Sequence, residues 1–262
     1  MARIHPLSYV DPGAELGEDV EVGPFCYVES DVVIGARTRL DAYVQIKRHS
    51  FIGADSFLGK GAVIGSDPQD RKFKGERSFV RIGDRTILRE YVTVHRSSGE
   101  DTETYIGNDC FLMAYVHIGH NVTVGNHVTM ANSTGVSGHC VIEDLVTLGG
   151  MTGVHQWCRI GKVSMVGGMT KVSRDIPPFM LVEGAEQTVH DINAVGLRRM
   201  GVTPPVRLAL HKACKLLFKS QLGLTNAIAT VRREVPCFEE VEYLLRFEEQ
   251  RFKGKNGRGN QP

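Results

Sequence analysis

A parallel β-helix followed by a helical C-terminal domain is the fold class this sequence predicts, and three observations predict it. An aliphatic residue recurs at every sixth position through most of the chain between Ile4 and Val172. The position four after each aliphatic is filled by small or β-branched side chains, and glycine often follows the aliphatic directly. The chain also carries 29 Gly in 262 residues with only 7% aromatics, a composition of many tight turns around a thin core. A helix needs apolar residues three and four apart and an ordinary strand alternates every two, so a pure period of six fits neither. It fits short flat strands and sharp corners, with the aliphatic and small residues stacked inward in ladders; with three faces, one coil takes eighteen residues.

The beat opens at Ile4, Val10 and Leu16 and continues without a miss through Val22, Val28, Ile34, Leu40, Ile46, Ile52, Leu58 and Ile64. It returns at Ile82, Leu88 and Val94, then runs from Ile106 through Leu112, Ile118, Val124, Met130, Val136, Ile142, Leu148, Val154, Ile160 and Val166 to Val172. The two interruptions, at about 66–79 and 97–104, predict protruding loops, the natural seat of function on so regular a scaffold. Glycines such as Gly17, Gly35, Gly107 and Gly149 predict corners where backbones approach closely or φ is positive. Residues 1–180 thus read as the β-helix and 181–262 as an α-helical domain. Thr203 before Pro204 and Pro205 starts one helix, whose buried face is Val206, Ala209, Leu210, Ala213, Leu216 and Leu217. Thr225–Val235 and Glu239–Phe252 predict two more, split by Pro236, and the polar, Gly-rich Lys253–Pro262 predicts a disordered tail.

Charge and cysteines narrow the function. Thirty-one Lys and Arg against thirty Asp and Glu leave a net charge of +1, with no global field to draw the chain onto nucleic acid or an anionic membrane. No apolar run long enough to span a bilayer and no leader-like N-terminus is present, so the expected location is cytoplasmic. Of the six cysteines, Cys26, Cys110, Cys140 and Cys158 fall at the inward small position, which predicts packing, not metal or redox chemistry.

Subtraction by eighteen then brings histidines together. In the uninterrupted run from 106, Gly138 lies one coil above His120 and Gln156 two coils above; His139 and His155 fall beside the same column, with His117 at its edge. These positions face outward, so the cluster is solvent decoration, a metal site or an acid/base site. Trp157, one coil above His139, predicts packing against a neighbouring subunit.

At this point the residues carry a resemblance. His117-Ile-Gly-His120-Asn-Val-Thr-Val-Gly-Asn, Val136-Ser-Gly-His139 and Gly149-Gly-Met-Thr-Gly-Val-His155-Gln156-Trp-Cys resemble the acyl-carrier-protein:UDP-N-acetylglucosamine O-acyltransferase family, which begins lipid A biosynthesis. So do Pro68-Gln-Asp70-Arg-Lys72, Pro177-Pro178 and Asn193-Ala-Val-Gly-Leu-Arg-Arg199. The resemblance implies a left-handed β-helix trimer with active sites in clefts between subunits, and no metal or cofactor. It implies that His120 is the general base on the glucosamine 3-position and that the Gly138 N–H is the oxyanion donor to the thioester of a (R)-3-hydroxyacyl chain on acyl carrier protein. His117, Asn121, His139, His155 and Gln156 would position the base, the sugar or the acyl group. Asp70, Lys72, Asn193 and Arg199 would hold the nucleotide sugar, and Gly168, Met169 and Lys171 would set acyl length, a long Lys171 folded inward favouring a shorter chain.

The sequence also departs from that family. Asn121 stands where the family has Asp and can orient an imidazole without supplying negative charge, which implies a weaker base or another carboxylate. Val195 and Met200 replace an acidic residue and an Arg near Arg199. Two other chemistries stay open at this stage: N-acylation of a 3-amino sugar, and a trimeric zinc-dependent enzyme. Arg207, Lys212, Lys215, Lys219, Arg232 and Arg233 offer an acidic carrier protein a docking face.

Overall fold

The computed structural model describes all 262 residues. Its first two thirds is a left-handed parallel β-helix of three sheets to which the coils give nine, nine and eight strands. The first sheet runs from Arg3–Ile4 to Met165–Val166 and is extended by a hairpin, the second from Tyr9–Val10 to Lys171–Val172, and the third from Glu15–Leu16 to Arg159–Ile160. Every coil contributes one strand to each sheet in parallel register, so His117 pairs with Gly135 and that in turn with Gly153 and Lys171. The two interruptions lengthen the step to the next coil and the beat stays paired, Ile52 with Ile82 across the first loop and Ile82 with Ile106 across the second. The register slips only where the first loop departs, with Ile64 on Val94 but Ser66 on His95.

The six-residue beat is the core. Every beat aliphatic from Val22 to Val172 is buried, while Ile4 is 45% exposed and Val10 and Leu16 only half-buried, because the first coil has no neighbour beneath it. The small inward position is selected for more than size. Ser, Thr and Cys there donate to the carbonyl of a corner residue 15 positions on, as in Thr38 to Gly53 (2.7 Å), Thr134 to Gly149 (3.1 Å) and Cys140 to His155 (3.1 Å). That pairing satisfies buried carbonyls which the strand ladder leaves free. Burial at this position keeps the thiols inert, pushing Cys110 up to about 11 and Cys140 up to about 12.

Of the two reasons offered for the corner glycines, close approach is the operative one. A Cβ on Gly149 would sit 2.4 Å from the Gly168 nitrogen, and one on Gly35 2.5 Å from that of Ala54. Positive φ falls two residues later and is carried by ordinary side chains, among them Asn121 (57°), His139 (61°) and Trp157 (69°). Asn and His tolerate this region better than most residues, and the coil geometry imposes it on the rest.

Beyond Val172 the chain forms an antiparallel hairpin, Met180–Glu183 with Thr188–Ile192, that extends the first sheet. Four helices follow: α1 (Ala194–Arg199), α2 (Pro204–Phe218), α3 (Leu224–Glu234) and α4 (Glu239–Lys253). The starts of α2 and α4 fall where Pro204 and the residues after Pro236 place them, whereas the hairpin and α1 are too short to show a period. The polar tail is not disordered. Gly259 N–H donates to Asp175 (2.7 Å), Asp175 N–H to the Gly257 carbonyl (2.9 Å), and Arg258 is buried. Composition missed this because the tail is held by backbone and charge contacts and carries no apolar pattern.

Candidate active site

The three corners of the prism differ in how they treat the N–H two residues after each beat aliphatic. Between the third and first sheets a ladder of carboxylates and amides caps them: Asp84 accepts from Ala54 (2.7 Å), Asn108 from Asp84 (2.7 Å), Asn126 from Asn108 (2.9 Å) and Asp144 from Asn126 (2.6 Å). Between the second and third sheets, at Gly138, the same N–H donates to nothing in the chain. The residue is buried, and a free buried N–H is costly unless a ligand completes it. Directly beneath it lies His120: a Cβ on Gly138 would stand 2.6 Å from His120 Nε2 and Cε1.

His120 is held in one tautomer. Its Nδ1 lies 2.8 Å from Asn121 Oδ1, whose amide is locked between the two backbone groups of Ser98. Ser98 N–H donates to Oδ1 (3.0 Å) and Asn121 Nδ2 donates to the Ser98 carbonyl (3.0 Å). Oδ1 only accepts, so Nδ1 carries the proton and the lone pair is on Nε2, beside the free Gly138 N–H. The carboxylate that Asn121 lacks stands one step behind: Ser98 Oγ donates to Asp70 (3.2 Å), and Asp70 is held below the usual carboxylate range by the Lys72 N–H first, then by Ser98 and the nearby His120. An imidazole lone pair next to an unpaired N–H can take a proton from a nucleophile while the N–H stabilises charge on an attacked carbonyl oxygen.

The surrounding residues divide. His139 packs edge-on over His120 (5.0 Å between centroids) and flat against Trp157 (4.0 Å), whose ring is half-buried. Burial and then His120 push the His139 pKa down, and burial then His95 push down that of His117. His117 is not in the corner. It lies on the outer face of the second sheet, bonded to Thr93 Oγ1 (2.8 Å) and packed against His95. Along that face the next positions are Gly135 and Gly153, where a Cβ would meet nothing within 4 Å, and then exposed Lys171. The result is a trough with His117 at one end and Lys171 at the other; Lys171 lies on the outside, not folded into the prism. Gly168 and Met169 sit exposed on the flanking corner. Gln156 is exposed two coils above His120, and His155 beside it accepts from Arg258 (2.7 Å).

Two further expected contacts lie at the first helix of the C-terminal region. Asn193 caps α1, accepting from Gly196 N–H (3.0 Å) and donating to the Val163 carbonyl (2.8 Å), while Arg199 is exposed in the last turn of that helix. Among the helix cations, Lys212 and Lys219 bond backbone carbonyls and keep their charge, Lys215 is exposed, and Arg232 and Arg233 pair with Glu249 (3.1 Å) and Glu234 (2.9 Å). Sequence reasoning missed Ser98, Thr93 and His95, because the insertions place them off the eighteen-residue count. No group of three His, Cys, Asp or Glu side chains is arranged to hold a metal ion.

The repeat and the coil geometry put the chain among hexapeptide-repeat transferases, and the family model described as bacterial transferase hexapeptide (six repeats) matches residues 103–138. A second model, described as UDP N-acetylglucosamine O-acyltransferase, domain 2, matches residues 175–259. The acyl-[acyl-carrier-protein]–UDP-N-acetylglucosamine O-acyltransferase of Thermodesulfovibrio yellowstonii is 41% identical over 97% of this chain and 99% of its own length. That of Paraburkholderia xenovorans is also 41% identical, over 97% and 99%. The crystal structure of LpxA, a UDP-N-acetylglucosamine acyltransferase from Bacteroides fragilis, superposes with a TM-score of 0.90 at 38% identity, covering 94% of this chain and 96% of that one. The chain belongs to the UDP-N-acetylglucosamine O-acyltransferase family.

Proposed function

We infer that the protein transfers a (R)-3-hydroxyacyl chain from acyl carrier protein to the glucosamine 3-OH of UDP-N-acetylglucosamine, the first step of lipid A biosynthesis. Family membership carries the reaction; one observation carries the mechanism, the lone pair of His120 Nε2 set against the free N–H of Gly138. His120 takes the proton of the sugar 3-OH as its oxygen attacks the thioester carbonyl. The Gly138 N–H receives the oxyanion, and collapse expels the carrier's thiolate, which takes the proton back from the imidazolium.

The trough from His117 to Lys171 is the place for the acyl chain. Three coil steps give it about 14 Å, with Gly168 and Met169 on its rim and Lys171 across its end. Gln156, His139 and Asp70 with Lys72 surround the sugar side of His120. We also propose a homotrimer. The corner between the first and second sheets is an exposed apolar ridge of Leu7, Phe25, Tyr43, Tyr91, Tyr115, Met151 and Met169, with Phe25 stacked on Tyr43 and Tyr91 on Tyr115. So long an apolar stripe calls for a partner surface, and a second copy covering it would also roof the trough. No helix is long and apolar enough to cross a membrane, and we place the reaction in the cytoplasm, where its two activated substrates arise.

The test is mass analysis of products from a mixed-length hydroxyacyl carrier-protein pool with UDP-N-acetylglucosamine and, separately, its 3-amino analogue. An ester product on the first sugar is expected. Acylation of the amino sugar alone would replace the O-acyl reading.

A further inference from the structure

The tail that sequence composition leaves free returns to the corner that carries Gln156 and His155. Arg258 is 7% exposed, yet its hydrogen-bond partners are neutral: Gln261 Oε1 (2.8 Å), the Ser173 carbonyl (3.4 Å) and His155 Nδ1 (2.7 Å). The strap is fixed on both sides of it by Asp175, which donates its N–H to Gly257 and accepts from Gly259. His155 Nδ1 also lies 3.0 Å from the carbonyl of Gln156, so it has two competing partners. A carbonyl demands a proton on Nδ1, whereas a guanidinium only donates and demands a lone pair there. The guanidinium is charged, buried and closer, and a charge-assisted bond outweighs a neutral one roughly twofold.

We propose that Arg258 is a positioning residue that holds His155 in the Nε2–H tautomer, so that the exposed edge of this ring is a hydrogen-bond donor to the bound nucleotide sugar. Without Arg258 the proton moves to Nδ1, where it bonds the Gln156 carbonyl, and the exposed edge becomes an acceptor facing the acceptor-rich sugar and diphosphate. The donor role rests on the acyltransferase reading; the tautomer does not.

The experiment uses the full chain as wild type, Arg258→Met, Arg258→Lys, His155→Phe and the Arg258→Met/His155→Phe double variant. Long-range ¹⁵N–¹H correlation spectra, with His155 assigned by its loss in His155→Phe, are expected to show a proton on Nε2 in the wild type and on Nδ1 in Arg258→Met. KM for UDP-N-acetylglucosamine rises about tenfold in Arg258→Met, the worth of one substrate hydrogen bond, with kcat within about twofold. Arg258→Lys restores most of it, and Arg258→Met adds nothing in the His155→Phe background. A wild-type proton on Nδ1 overturns the proposal, as does an Arg258→Met penalty that persists undiminished without His155. If Arg258→Met does not fold, the wild-type spectrum and Arg258→Lys decide. Absence of acyl transfer by the wild type would refute the functional reading and leave the tautomer result standing.

Discussion

Gly138→Ala isolates the proposed catalytic corner from the fold. The new Cβ would lie 2.6 Å from Nε2 and Cε1 of His120 and 3.1 Å from Nδ1. Ordinary contact begins near 3.4 Å on the same scale, so the ring must retreat by 3.4 − 2.6 = 0.8 Å. It has little room to do so, with His139 edge-on at 5.0 Å and Nδ1 tied to Asn121 at 2.8 Å. Stretched by that amount, the Nδ1 bond would exceed hydrogen-bonding range, and misplacing a catalytic atom by about 1 Å costs on the order of 10²-fold in rate, or about 2.7 kcal/mol of barrier. The backbone tolerates the change because Gly138 is not among the positive-φ glycines, and alanine keeps the N–H. A kcat loss near 100-fold with a melting temperature within about 2 °C of wild type is therefore expected from acyl-transfer kinetics and circular dichroism. Retention of kcat within fivefold by a folded variant would refute the placement of His120 as base.

Other outcomes follow from the same geometry. Lys171→Ala lengthens the trough, and mass analysis of products from a mixed acyl pool should shift toward longer chains; an unchanged distribution removes Lys171 from length control. Gly149→Ala sets a Cβ against the Gly168 backbone, and should cost about 1–3 kcal/mol in denaturant unfolding, whereas Gly153→Ala, with nothing within 4 Å, should cost little and shorten the preferred chain. His117 and His139 have folded pKa values pushed down by burial, so the unfolded chain binds more protons between those values and about 6.5. Their stabilisation is complete above that pH and is lost as pH falls through the folded values. The buried Asp175 and Glu248, pushed up by burial, act in the opposite sense, so the histidine part is read by comparison with His117→Asn: its stability should fall less than that of wild type between pH 7.5 and 5.5.

The prism is legible in the sequence because every coil repeats one environment. An inward position occupied by Val, Ile, Leu or Met each time is a statement about burial that survives two loops, and modular subtraction alone sets Gly138 over His120. Subtraction fails where an insertion lengthens the coil, so partners within or across an insertion, Ser98 to Asn121 and Thr93 to His117, cannot be counted to. It fails also at the tail, where specificity resides in a few backbone bonds and one buried guanidinium.

These failures bear on Asn121. Judged by sequence, replacing an acid beside the base removes charge. In the structure Asn121 presents both an acceptor and a donor to Ser98 (3.0 Å each), and an aspartate could supply only the first. The amide therefore gives up charge beside the imidazole but gains a fixed orientation, which in turn fixes the tautomer of His120. With Asp70 bonded to Ser98 Oγ, negative charge is still present one residue away, held by the loop that interrupts the repeat. The pair Asn121 and Asp70 divides between two side chains what a single carboxylate would do, and joins the proposed base to both inserted loops.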